Sequence, residues 1–116
     1  MAKDDCVFCK IARKEIPVKL VYESENFIAF LDVHPKVKGH TLIIPKKHFV
    51  NIIDLPSDLG SELLDVIKRV FEIRQEEGAE GFNLIMNNFP AAGQLVIHAH
   101  LHFLPRKKGD KGFKSI

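Results

Sequence analysis

Cysteine is nearly absent: the 116-residue chain holds two, Cys6 and Cys9, and with so few a disulfide framework is not the basis of the fold. No apolar run approaches the ~18 residues of a membrane span. The opening MAKDDCVFCK is charged and lacks the apolar stretch of a secretory leader, so the expected location is the cytoplasm, away from membranes. Basic residues are scattered and the net charge is only +2, which gives no extended track for nucleic acid. One small cluster, Arg106-Lys107-Lys108, reads as a solvated end in preference to an anion-attracting rim. Internal repeats, low-complexity tracts and linkers are missing too. With 46% apolar and 28% charged residues, what remains is an ordinary globular chain, one domain over residues 1–116 with a single core.

Against that plain background the histidines are unusual. The stretch VIHAHLHFLP sets His98, His100 and His102 on alternate residues. Side chains on a strand alternate between faces, so the three imidazoles share one side and Ile97, Ala99, Leu101 and Phe103 the other. Pro105, lacking a ladder donor, is expected to end the strand. Metal ligation and proton or nucleophile chemistry both fit such a row. Along a strand His98 and His102 lie roughly 13 Å apart. Bonds from zinc to nitrogen are only about 2.0–2.1 Å, so one ion hardly takes all three rings. At least one is free for chemistry.

The rest of the chain reads as short elements. DCVFCKIARKEIP is a short helix with Asp4 or Asp5 as cap, Phe8 and Ile11 on one stripe, and Pro17 as its stop. VKLVYES and NFIAFLDV are strands joined by a turn at Glu23-Ser24-Glu25, and HTLIIP is a third after a turn containing Gly39. The long helix is SDLGSELLDVIKRVFEIRQEE. Ser57 is its expected N-cap, Gly78 its stop, and Leu59, Leu63, Val66, Ile67, Val70 and Ile73 its apolar stripe. Asp65 and Arg69 form an expected i,i+4 pair. GFNLIMNN is a fourth strand and LVIHAHLHFLP a fifth. Short connections favour an antiparallel sheet with helices packed on one side, an α+β domain.

His98-Ala99-His100-Leu101-His102 resembles the defining motif of the histidine triad (HIT) family of nucleotide hydrolases and transferases. CVFCKIARKEIP, VYES, FIAFLDVHPKVKGHTLIIPKKH, FNLIMNN, AAGQ and LPRKKGD also stand in that family's order, leaving out chiefly the long helix. The resemblance implies a HIT-like fold with a five-stranded antiparallel sheet, one long and one short helix, a homodimer, and a nucleotide site on the triad face. In the family the central histidine, here His100, attacks the α-phosphorus to give a nucleotidyl-histidine intermediate, and no catalytic metal is required. That role suits a neutral imidazole whose second nitrogen is fixed by an acceptor. His102 is the candidate phosphate ligand and proton donor, His40 its neighbour if the strands adjoin, and Gln94 an orienting amide. By motif position Phe8, Ile11 and Phe30 would sandwich a base, with a purine expected. Asp32 would accept from the ribose, and Asn87 would donate near the phosphate. Ordinary core is the alternative for the three apolar residues, and a turn-initiating role for Asp32. Phe89 stands where many members have glycine, and Leu95 where several have a small hydroxyl residue. His34, before Pro35, reads as surface.

Cys6-Val7-Phe8-Cys9 suits a redox pair, a plain apolar pair or half of a zinc site. No buried strand precedes it, which makes the redox reading the weakest. Some family members, and the related galactose-1-phosphate uridylyltransferases, complete such a site with an intermediate histidine and the first of the triad. The matching residues here are Cys6, Cys9, His48 and His98, a closed and therefore structural set. Two other functions compete with nucleotidyl hydrolysis of dinucleoside polyphosphates or nucleoside phosphoramidates. One is a catalytic metalloenzyme built on the histidine row and His40. The other is a nucleotide-binding protein with little activity, kept open by Phe89 and Leu95.

Overall fold

The computed structural model describes residues 5–111. In chain order these form α1 (Val7–Ala12), β1 (Leu20–Glu23), β2 (Phe27–Leu31), β3 (Thr41–Pro45), α2 (Gly60–Glu76), β4 (Gly81–Ile85) and β5 (Leu101–Arg106). The five strands make one antiparallel sheet in the order β1-β2-β3-β5-β4.

The central strands explain how the helices are placed. FIAFL and TLIIP lack a polar face, and nearly every residue in them is buried. Thr41 satisfies its hydroxyl by donating to the carbonyl of Gly39 at 2.8 Å. A sheet that is apolar on both sides needs cover on both. Ile28, Phe30, Leu42 and Ile44 pack against Cys6, Phe8, Cys9 and Ile11 of the α1 segment. Phe27, Ala29, Ile43, Leu101 and Phe103 pack against Leu63, Val66 and Val70 of α2. The helices therefore lie on opposite faces, not on one as expected. The register follows the same alternation, with Ile28 opposite Ile44 and Phe30 opposite Leu42.

Local departures have local causes. Cys6, not an aspartate, caps α1: its Sγ accepts from the Cys9 N–H at 3.4 Å, while Asp5 is exposed and Asp4 lies outside the described residues. Ser57 heads a 3₁₀ turn over Ser57–Leu59, and no side chain caps α2. Arg69 pairs with Glu72 at 3.6 Å in place of Asp65. Gly78, at φ +103°, ends α2 in a conformation that side chains rarely adopt. Glu62 ties α2 to the β1–β2 turn. It accepts from the Ser24 hydroxyl at 2.5 Å, and from the Asn26 backbone and amide nitrogens at 2.7 Å each.

The main difference falls on the histidine row. The ladder of β5 begins only at Leu101, so His102 alone of the three lies in it. Residues 94–100 run instead beside the segment that follows β3, where the Ala99 N–H donates to the carbonyl of Phe49 at 2.7 Å. Pro105 does not end the strand. It sits opposite Phe82, which antiparallel pairing allows at the alternate residues that exchange no hydrogen bonds.

Candidate active site

Three carbonyl or amide partners decide what each imidazole offers. A carbonyl oxygen only accepts, so a ring nitrogen bonded to one carries the proton. The Nδ1 of His100 donates to the carbonyl of His98 at 2.8 Å. Its Nε2 therefore holds the lone pair, the form a nucleophile needs. His100 is 7% exposed, and the edge of Phe8 packs on it with ring centroids 5.2 Å apart. The middle ring is held from two sides, with one basic nitrogen left.

His102 takes the opposite tautomer. The Lys36 N–H donates to His40 Nδ1 at 3.0 Å, which fixes the proton of neutral His40 on Nε2. That Nε2 donates to His102 Nδ1 at 2.9 Å and lies 3.5 Å from Asp32 Oδ2. His102 is left with an Nε2–H, a donor for an anionic oxygen. Burial, then the neighbouring rings of His100 and His40, push its pKa down to about 4. His40 is lowered too, by burial, with Asp32 opposing. Both rings are neutral at pH 7. Asp32 also accepts from the His34 N–H at 3.0 Å, so its expected turn role holds alongside its place beside His40.

Asp32, His40 and His102 have ligand atoms within 4.8 Å of one another, a spacing that also suits a metal. The Lys36 N–H argues for proton transfer instead. A metal on His40 Nε2 would displace its proton and leave Nδ1 needing one, while facing a backbone donor.

At the other end of the row His98 is fully buried, and its Nε2 donates to the carbonyl of Pro45 at 2.8 Å. Its Nδ1 lone pair thus faces Cys6 Sγ at 3.3 Å and Cys9 Sγ at 3.6 Å, while His48 Nδ1 meets Cys9 Sγ at 3.2 Å. All four ligand atoms lie within 4.8 Å of one another. Tetrahedral zinc, with bonds of about 2.3 Å to sulfur and 2.0–2.1 Å to nitrogen, spaces its ligands by about 3.3–3.8 Å. The donor set, its spacing and the tautomer of His98 all fit zinc. Burial pushes the pKa of His98 down to about 4, against the opposing bond to Pro45, so the ring is neutral as a ligand must be.

The remaining expected residues divide. Phe8, Ile11 and Phe30 are 7%, 5% and 3% exposed and belong to the α1-side core, so the alternative reading describes their packing here. Asn87 is half-buried. Gln94 is 3% exposed, and its amide is spent on the backbone. Nε2 donates to Val50 O at 2.5 Å and Val96 O at 3.1 Å, and Oε1 accepts from Phe89 N–H at 2.8 Å. It stitches the loop before the row and is not an amide free to hold phosphate. Phe89 takes φ +73°, a region glycine enters freely, and Leu95 is 90% exposed. His34 is exposed as expected. Sequence reasoning missed the carbonyls of His98 and Pro45 and the amide of Lys36, groups that no residue type announces.

Comparison with known proteins supplies the family. The HIT domain profile matches residues 13–109. An uncharacterised HIT-like protein of Methanocaldococcus jannaschii is 45% identical over 105 residues, covering 90% of this chain and 81% of its own. An adenosine 5'-monophosphoramidase of Candida albicans is 38% identical over 113 residues, covering 92% and 74%. Among solved structures, a zinc-bound histidine triad family protein of Mycobacterium smegmatis superposes with a TM-score of 0.87. It shares 40% identity and covers 95% of this chain and 81% of its own. On the triad, the sheet that carries it and these likenesses, the chain belongs to the histidine triad (HIT) family.

Proposed function

We propose that the protein is a nucleotide hydrolase acting at the α-phosphate of a nucleoside phosphoramidate or dinucleoside polyphosphate through a nucleotidyl-His100 intermediate. The observation that carries this reading is the bond from His100 Nδ1 to the carbonyl of His98 at 2.8 Å, which leaves Nε2 as the basic nitrogen. In the first step the Nε2 lone pair forms a bond to phosphorus, and the bond from phosphorus to the leaving nitrogen or oxygen breaks. The Nε2–H of His102 donates to a phosphate oxygen, and His40 Nε2–H, donating to His102 Nδ1 across 2.9 Å beside the Asp32 carboxylate, holds the ring in that tautomer. The leaving group takes its proton from solvent, and the attacking water of the second step returns one. Water then attacks phosphorus, the bond to His100 breaks, and nucleoside monophosphate leaves.

Gln94 acts here by fixing the loop that leads into the row. The base is expected to be a purine, as the name of the Candida relative suggests. It would seat against Phe8, Ile11 and Phe30 with its ribose toward Asp32, and Asn87 would donate near the phosphate. Zinc held by Cys6, Cys9, His48 and His98 would anchor the row as a structural ion. The outermost strand β4 leaves Phe82 and Leu84 partly exposed on an unpaired edge, which supports a homodimer joined there, checked by light scattering.

The test is a substrate panel with mass spectrometry. Quenched wild-type enzyme should carry one nucleotidyl group on His100, and His100→Ala should lose turnover while keeping its fold. Undiminished turnover in that variant would exclude the covalent route.

A further inference from the structure

Away from the triad a cleft of about 400 Å³ opens between the loop before His40, the C-terminal end of α2 and the tail of β5. Its lining holds five basic residues, Lys38, Arg74, Arg106, Lys107 and Lys111, against two acids, Glu77 and Asp110. Both acids are already engaged: Glu77 pairs with Arg74 at 3.2 Å and Asp110 with Arg106 at 3.6 Å. Five positive charges less two negative ones leave a lining of +3 in a chain whose total is +2. The excess of positive charge is concentrated here.

Part of this charge has a structural use. Arg74 and Lys107 stand at the end of α2, where cations offset the negative pole of the helix. Lys38 and Lys111 have no such duty. Arg74 is also more than a helix-end cation. Its side chain is only 12% exposed, its Nε is buried without a partner among the described residues, and its carboxylate partner Glu77 is 60% exposed. The cleft is thus lined by a partly desolvated guanidinium whose paired carboxylate lies toward solvent. Concave walls of low dielectric focus such a field outward.

We propose that this cleft is a second ligand site, which binds an oligophosphate chain, either free or as the tail of a nucleotide. At about 400 Å³ it is of a size that takes small ligands. A chain carrying several charges can meet Lys38, Lys107 and Lys111 together, as a single carboxylate cannot. The site stands independently of the nucleotide chemistry at His100. It touches the same loop, however. Val37 and Lys38 line the cleft, Val37 O accepts from His40 N–H at 3.1 Å, and the neighbouring Lys36 N–H fixes the tautomer of His40.

The experiment is NMR titration of the full chain with inorganic tripolyphosphate at about 0.15 M salt, with a nucleoside triphosphate and the bare nucleoside in parallel. Binding should shift the Lys38 and Lys111 amides and the Arg74 Nε–H. Lys38→Ala/Lys111→Ala should weaken it about tenfold, as expected for two partly screened charge contacts, with an unchanged melting temperature. Equal affinities for tripolyphosphate and the nucleotide identify the chain itself as the ligand, and tighter nucleotide binding adds a contact to the nucleoside. Shifts confined to residues around His100, or equal affinity in the double variant, would overturn the proposal. So would binding of the bare nucleoside at this cleft as tight as that of the triphosphate.

Discussion

His98 and His102 stand at the two ends of one motif and have little in common. His98 is wholly buried and faces two sulfurs, whereas His102 is half-buried and faces an imidazole backed by a carboxylate. Each has one ring nitrogen committed, His98 by donating from Nε2 and His102 by accepting at Nδ1. One ring therefore offers a lone pair to a metal and the other a proton to an oxygen. Residue type sets the range of chemistry, and the partner of the second nitrogen selects from it.

The most severe break in this contrast is Cys6→Ser/Cys9→Ser. It should abolish bound zinc and lower Tm by about 15 °C or more, because a closed metal site contributes folding energy directly. Calorimetry with metal analysis checks it; full zinc content in the variant would contradict the ligand assignment. Next comes His40→Ala, which should lower kcat by about 10²–10³ through loss of the hydrogen bond that holds the His102 tautomer, with zinc content unchanged. A fall in zinc content would mean that the two ends are not separate.

Acid should sharpen the contrast. The pKa of His102 is about 4 in the folded chain against 6.5 for a free ring, so between those values the unfolded chain binds more protons. Stability from this group is complete above pH 6.5 and is lost as pH falls toward 4. The loss is on the order of 2 kcal/mol, measured by urea unfolding across that range. His40→Asn should flatten the slope by removing a second depressed histidine. The smallest effect is at Phe89, whose φ of +73° is strained for any side chain. Phe89→Gly should raise stability by about 1 kcal/mol, since relief of strain outweighs the extra chain entropy of glycine.

Much of this was legible in the sequence. Short apolar runs bounded by turn residues marked the strands, the 3.6-residue stripe marked α2, and the family resemblance pointed to Cys6, Cys9, His48 and His98, which the fold brings together. The placement of the helices was legible in principle, because FIAFL and TLIIP have no polar face and imply cover on both sides. The break before Leu101 was not. Alternating histidines look the same whether or not their backbone is paired, and the bond from Ala99 to Phe49 joins residues 50 apart in sequence through main-chain atoms alone. The backbone bonds of Gln94 were hidden for the same reason, since two of its partners are carbonyls and the third a backbone amide.

The late start of β5 has one more consequence. A carbonyl engaged in a regular ladder already serves a neighbouring strand, whereas that of His98 lies before the first rung and is taken by the ring two residues on. An engineer who straightened this segment into an ideal strand would lengthen the sheet and release His100 to spin between tautomers. The gap in regularity keeps the lone pair of His100 on Nε2.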